Sequence, residues 1–135
     1  MKIVVLDAKT FGDDISLAPL AALGNLTIYE KTPPERLTER VKDCEVLIQN
    51  KVKITREVIA AAPRLRLICE AATGYDNIDI AAAHERGIAV CNVPGYSTDS
   101  VVQVTLAMVL SLATNLPAFA AHVESGAYSR GRDAN

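Results

Sequence analysis

Two runs rich in glycine and small polar residues hold most of the chemistry that this 135-residue chain can offer. The first is Thr73-Gly74-Tyr75-Asp76-Asn77-Ile78-Asp79. The second is Asn92-Val93-Pro94-Gly95-Tyr96-Ser97-Thr98-Asp99-Ser100. Each follows a run fit for a buried strand, and ligands of open α/β sheets collect outside the carboxyl ends of the strands. Other chemistries lack their parts. No three of the seven glycines form GxGxxG. Gly126 and Gly131 have P-loop spacing, but Arg132-Asp133 follows where Lys and Ser or Thr are needed, and no strand precedes them. The turn Asp7-Ala8-Lys9-Thr10-Phe11-Gly12 lacks the hydroxyl-rich character of a flavin phosphate loop. Gln49-Asn50 and Cys91-Asn92 stand where a phosphorelay receiver needs an aspartate and a lysine. His84 and His122 read as surface or packing histidines, and Asp13-Asp14 as acids placed before a helix, where they favour its dipole. No histidine–acid spacing suggests a metal site.

These loops need elements to hold them. Apolar runs over residues 2–7, 26–30, 45–49, 65–70 and 88–91 read as five short strands. Helices are expected between them over residues 17–23, 35–42, 56–62 and 80–86. Ser16, Thr55 and Asp79 are placed to cap three of these helices, and Pro33-Pro34 opens the fourth. Gly24 and Gly87 stand at two C-termini. A long apolar helix is expected over residues 99–124. Ser100 and Gln103 have capping-box spacing near its start, with Ser97 or Thr98 as equal candidates for the cap. Pro117 should kink or break it. Strand–helix alternation predicts a parallel sheet with helices on both faces and right-handed crossovers. The expected fold is α/β: a flavodoxin-like, doubly wound parallel sheet of about five strands in the order 2-1-3-4-5, followed by the long apolar helix. The expected division is residues 1–97 for the sheet domain and 98–135 for the helix and a frayed polar tail from Ser129 to Asn135.

Half of the residues are hydrophobic, enough for a core without staples. The net charge is −2, from 14 basic and 16 acidic residues, which leaves no electrostatic footprint for nucleic acid. Cys44, Cys69 and Cys91 form neither a disulfide framework nor a CxxC pattern; Cys69 and Cys91 read as buried, inert thiols, and a reducing, cytoplasmic setting fits. The first residues lack a signal-peptide pattern. Residues 101–123 are apolar, but Gln103, Thr105, Ser111, Thr114, Asn115 and Pro117 interrupt them, which argues for a buried helix rather than a membrane span. From Val101 to Leu116 that helix is apolar round nearly its whole circumference and needs cover on all sides. The cover is a second copy, giving a homodimer through this segment, or another domain; the plainer alternative packs the helix against its own sheet.

At residues 73–79 and 92–103 the sequence resembles the D-isomer-specific 2-hydroxyacid dehydrogenases. The first-strand start, the Thr-Gly-Tyr-Asp-Asn-Ile-Asp loop, the Gly-Ile-Ala-Val strand and the Asn-Val-Pro-Gly run into a Val-Val-Gln helix occur in the family's order. The resemblance implies two α/β domains: a flavodoxin-like one that helps to bind substrate, and a Rossmann one that binds NAD or NADP. Reversible hydride transfer between nicotinamide and a 2-keto or 2-hydroxy acid takes place in the cleft between them. It also implies that this chain carries the first domain and the linking helix, ending before the family's GxGxxG and its catalytic arginine, glutamate and histidine. No catalytic residue is therefore assigned. Thr73 and Gly74 match the position whose backbone N–H groups hold the substrate carboxylate, where a glycine lets an anion approach a nest of amides. Asn50, Lys51 and Val52 match the loop that lines the substrate side chain. Ser97 and Val101 match positions near the nicotinamide. Asp76 and Asn77 read as fixing their loop by side-chain-to-backbone bonds. Two further readings stand beside this one: a non-enzymatic dimerising module that binds a small carboxylate or a partner protein, and an inactive truncated remnant.

Overall fold

The structure is a computed structural model that describes residues 1–132. The chain divides into two compact units, Met1–Pro94 and a second that begins at Gly95.

In the first unit five strands form one parallel sheet: β1 (Lys2–Val5), β2 (Asn25–Ile28), β3 (Val46–Gln49), β4 (Leu67–Glu70) and β5 (Ala89–Cys91). Their order is β2-β1-β3-β4-β5, the flavodoxin-like order expected from the alternation of elements. The register sets Val4 against Leu47, Leu47 against Ile68 and Ile68 against Val90. Strand side chains alternate between faces, so these four share one face. Helices α1 (Pro34–Val41), α2 (Arg56–Ala60) and α3 (Ile80–Glu85) bring Leu37, Val41, Val58, Ile59, Ala82 and Ala83 into the same core. Each large aliphatic side chain removed from water there contributes about 1.5–3 kcal/mol. Ile3 and Val5 point to the opposite face and are also buried.

Local chemistry sets the helix ends. The Asp79 carboxylate caps α3 by accepting from Ala82 N at 2.8 Å. A Schellman motif closes it: Gly87, at φ 65°, donates to His84 O, and Ile88 N donates to Ala83 O, both at 2.9 Å, with the Ile88 side chain buried. Pro33 and Pro34 open α1 as expected. Thr55 adopts the extended N-cap conformation before α2 but makes no side-chain cap bond.

The helix expected over residues 17–23 is instead a 3-10 turn at Ala18–Ala22. The segment is too short to offset the cost of α-helix nucleation, and Leu20 N and Leu23 N close three-residue turns on Leu17 O and Leu20 O. Ser16 Oγ accepts from Ala18 N at 3.3 Å without capping a helix. Gly24 has a stricter reason to be glycine than helix termination. A Cβ there would strike the Met1 carbonyl oxygen, which accepts from Asn25 N at 2.8 Å where β1 and β2 begin to pair.

The second unit contains α4 (Thr98–Thr114), α5 (Leu116–Glu124) and α6 (Ala127–Arg132). The apolar run expected over residues 99–124 bends by 66° between α4 and α5. The break falls at Asn115, at φ 51° and ψ 40°. Pro117 is its cause, because it has no N–H for the carbonyl four residues earlier and its ring clashes with that turn. Asparagine accommodates the left-handed conformation that results. Ser97 is the N-cap residue of α4, without a side-chain cap bond. No residue of α4 or α5 is buried. Among the described residues no single helix is long and apolar enough to cross a membrane. Of the polar tail, Ser129 to Arg132 lie in α6, while Asp133, Ala134 and Asn135 fall outside the described residues. All three cysteines are free, but they are not uniformly buried: Cys44 is buried, Cys69 half-buried and Cys91 exposed. Cys91 belongs to β5, an edge strand, where one neighbour is absent from the sheet.

Candidate functional site

Three strands end in a polar residue after an apolar run: Leu6-Asp7 beyond β1, Ile48-Gln49 in β3 and Cys69-Glu70 in β4. Asp7, Gln49 and Glu70 are 5%, 0% and 2% exposed, and together they hold the loops at the carboxyl edge of the sheet. The Asp7 carboxylate accepts from Asn50 N at 3.0 Å and from Lys51 N at 2.6 Å. The Asp7 carbonyl accepts from Thr10 Oγ1 at 2.8 Å, and Thr10 Oγ1 accepts in turn from Asn50 Nδ2 at 3.0 Å. The loop after β3 is thereby fixed at its first residue through both backbone and side chain.

A second network joins that loop to the one after β4. Gln49 and Glu70 are register partners, and Gln49 Nε2 donates to Glu70 Oε2. Gln49 Oε1 accepts from Val52 N at 3.0 Å. Asn77 Nδ2 lies 3.1 Å from Glu70 Oε2, 3.3 Å from Gln49 Oε1, 3.3 Å from Asn50 O and 3.2 Å from Val52 O. Two amide hydrogens shared among four oxygens make Asn77 a cross-brace between the loops. The side-chain-to-backbone bonds expected of Asn77 are present but run to the neighbouring loop rather than within its own, and the Asp76 side chain makes none among the described residues. Burial pushes the Glu70 carboxyl above its ordinary range, against the opposing effect of the Asn77 hydrogen bond. Glu70 Oε1 and Asn50 Oδ1 are buried without a partner among the described residues.

The loop after β4 is tied on its other side to the loop after β5. Thr73 Oγ1 donates to Val93 O at 3.0 Å, Asn92 Nδ2 to Thr73 O at 2.8 Å, and Val93 N to Ala72 O at 3.0 Å. The Thr73 hydroxyl is therefore engaged. The backbone N–H groups of Thr73 and Gly74 donate to nothing among the described residues, and both residues are exposed. A depression of about 250 Å³ lies beside them, lined by Asn50, Lys51, Ala72, Gly74, Asp76 and Asn77. Gly74 has no left-handed φ; its value lies in a bare backbone, since an added Cβ would sit 3.2 Å from Asp76 Oδ1.

Of the expected substrate residues, Asn50, Lys51 and Gly74 line this one depression, Thr73 buttresses it, and Val52 lines a neighbouring cleft. Ser97 and Val101 belong to the second unit, at the start of α4, where Val101 N donates to Ser97 O at 2.9 Å. Sequence reasoning missed Asp7, Gln49 and Glu70, although a polar residue at the end of each of three apolar runs was there to be read. Open amides and one lysine suit an anion. His84 and His122 are both exposed, in α3 and α5, and no cluster of His, Cys, Asp or Glu among the described residues could hold a metal ion.

The sequence model described as D-isomer specific 2-hydroxyacid dehydrogenase, catalytic domain, matches residues 3–131. A putative 2-hydroxyacid dehydrogenase of Haemophilus influenzae is 41% identical over 116 residues, covering 86% of this chain and 37% of that protein. A hydroxypyruvate reductase of Blautia hydrogenotrophica is 37% identical over 116 residues, covering 83% and 36%. Among solved structures, the D-lactate dehydrogenase of Aquifex aeolicus complexed with NAD and lactic acid superposes with a TM-score of 0.74 at 27% identity, covering 93% of this chain and 37% of that one. The chain thus spans little more than a third of the length of each.

Proposed function

The chain belongs to the D-isomer-specific 2-hydroxyacid dehydrogenase family, and from that membership we propose that it is the substrate-binding part of an NAD(P)-dependent oxidoreductase acting on a 2-keto or 2-hydroxy acid. The observation that carries this reading is the pair of undonated amides at Thr73 and Gly74 beside Lys51. They offer a carboxylate two N–H donors and the positive charge of Lys51, with Asp76 as the one acid in the lining. Asn50, Lys51 and Val52 face the remainder of the acid, while Ser97 and Val101 stand toward the nicotinamide. Residues 1–97 act as the substrate domain, and residues 98–135 as the linking and dimerising segment with its polar tail. A nicotinamide-binding domain supplies the cofactor site and the catalytic acid–base groups. The three free thiols suit a reducing, cytoplasmic setting.

Titration with pyruvate, followed by the amide resonances of the isotope-labelled chain, tests the cradle. Saturable shifts at Thr73 and Gly74 are expected, with no NADH oxidation by the 135 residues alone. Turnover by this chain, or shifts that avoid both amides, would remove the reading. The exposed apolar length of α4 favours a second one, a non-enzymatic module that dimerises through residues 101–116.

A further inference from the structure

We propose that the first unit carries a second ligand site, distinct from the depression at Gly74, which takes a small organic anion with an apolar body. A cleft of about 510 Å³ is lined by residues that follow β1, β2 and β3, together with the start of α1. In the order β2-β1-β3-β4-β5 the chain leaves β1 toward one edge of the sheet for β2 and returns to the other side of β1 for β3. A crevice at such a reversal is where open α/β sheets receive ligands. The volume falls within the roughly 300–1,000 Å³ of ordinary ligand pockets.

The lining has two characters. Pro34, Leu37 and Val52 supply an apolar wall, and Lys9, Lys31, Lys51 and Lys53 bring four positive charges to it. None of these lysines has a salt bridge among the described residues. Two acids also line the cleft, Glu30 and Asp7, whose carboxylate accepts from the amides of Asn50 and Lys51, so four ammonium groups face two carboxylates and the lining stays net positive. Like charges gathered round an apolar hollow repel one another. An anion seated among them removes that repulsion, and an apolar body attached to it covers the wall of Leu37 and Val52. The hollow at Gly74 is about half the size and carries open amides; Lys51 lines both, and Val52, assigned above to the remainder of the acid, lines only the larger cleft.

Phenyl phosphate is a suitable probe, titrated into the isotope-labelled chain. Saturable amide shifts at Lys9, Lys31 and Lys53 are expected. They should weaken about tenfold in the Lys9→Glu/Lys31→Glu double variant and be absent with the neutral 2-phenylethanol. Both lysines are exposed and their side chains make no hydrogen bond among the described residues, so unchanged β4 and β5 resonances will report an intact fold. Shifts that do not saturate, equal affinity in the double variant, equal affinity for inorganic phosphate, or shifts confined to residues 73–77 would each overturn the assignment. The pyruvate titration reads Thr73 and Gly74 separately, so either site can fail without the other.

Discussion

Glu70 closes β4 with one carboxyl oxygen shared between Gln49 and Asn77 and the other buried without a partner among the described residues. Its pKa is raised by burial, so folding favours its neutral form relative to the unfolded chain. The stability it contributes is fully present below the ordinary carboxyl range and is lost as pH rises through the raised value. Glu70→Gln keeps an acceptor for Gln49 and Asn77 and cannot ionise. Thermal melts of the two proteins should coincide below about pH 4 and separate toward neutral pH, with the variant melting higher. Coincident melts across the whole range would show that Glu70 ionises without cost. At Gly74 the backbone tolerates alanine, but the new Cβ crowds Asp76 Oδ1 and narrows the depression. Gly74→Ala should change stability by less than about 1 kcal/mol while weakening pyruvate binding severalfold, as read by denaturation and by titration. The thiols give a third expectation. Cys44 is buried and its pKa is pushed up to about 12 by burial, whereas Cys91 is exposed. A thiol reagent should label Cys91 first and Cys44 only after unfolding, and mass mapping of the labelled peptides reads the order.

Strands and their order were legible in the sequence because each strand lies in a short, largely apolar run and each connection carries its own punctuation. Asp79 and Gly87 bracket α3 as residue type predicted, and the structure adds the Schellman bonds that close it. The segment at residues 17–23 misled because a serine before an apolar stretch looks the same ahead of a 3-10 turn as ahead of an α-helix. The brace of Gln49, Glu70 and Asn77 stayed hidden for a different reason. Its members lie in three separate segments, and only the β3–β4 register sets Gln49 opposite Glu70. Gly24 belongs to this scale as well. Its Cβ would strike the Met1 carbonyl at the first rung between β1 and β2, so Gly24→Ala must displace one strand end. A loss of about 1–3 kcal/mol is expected by chemical denaturation, large for an exchange that adds one methyl group. A loss under half of that would mean the strand end gives way freely.

At the scale of the molecule, α4 is the unfinished part. Leu106, Leu110 and Leu112 are 56%, 61% and 83% exposed, and a helix apolar on all sides seeks cover. Light scattering should find the chain as a dimer, and Leu110→Lys should shift it toward monomer without altering the β-sheet signal of the first unit. A monomeric parent chain would count against dimerisation through this segment. The sheet has a consequence of another kind. All of its pairs are parallel, and each joins residues more than about twenty positions apart, such as Lys2 with Asn25, Ile3 with Val46 and Leu67 with Ala89. No hairpin can form early and template the rest. As the chain leaves the ribosome, β1 emerges first, yet it takes its place between β2 and β3 only after both have followed it. An interior strand is thus the one left waiting longest for its neighbours, and the kinetics of this fold are governed by closure of long loops rather than by local zippering.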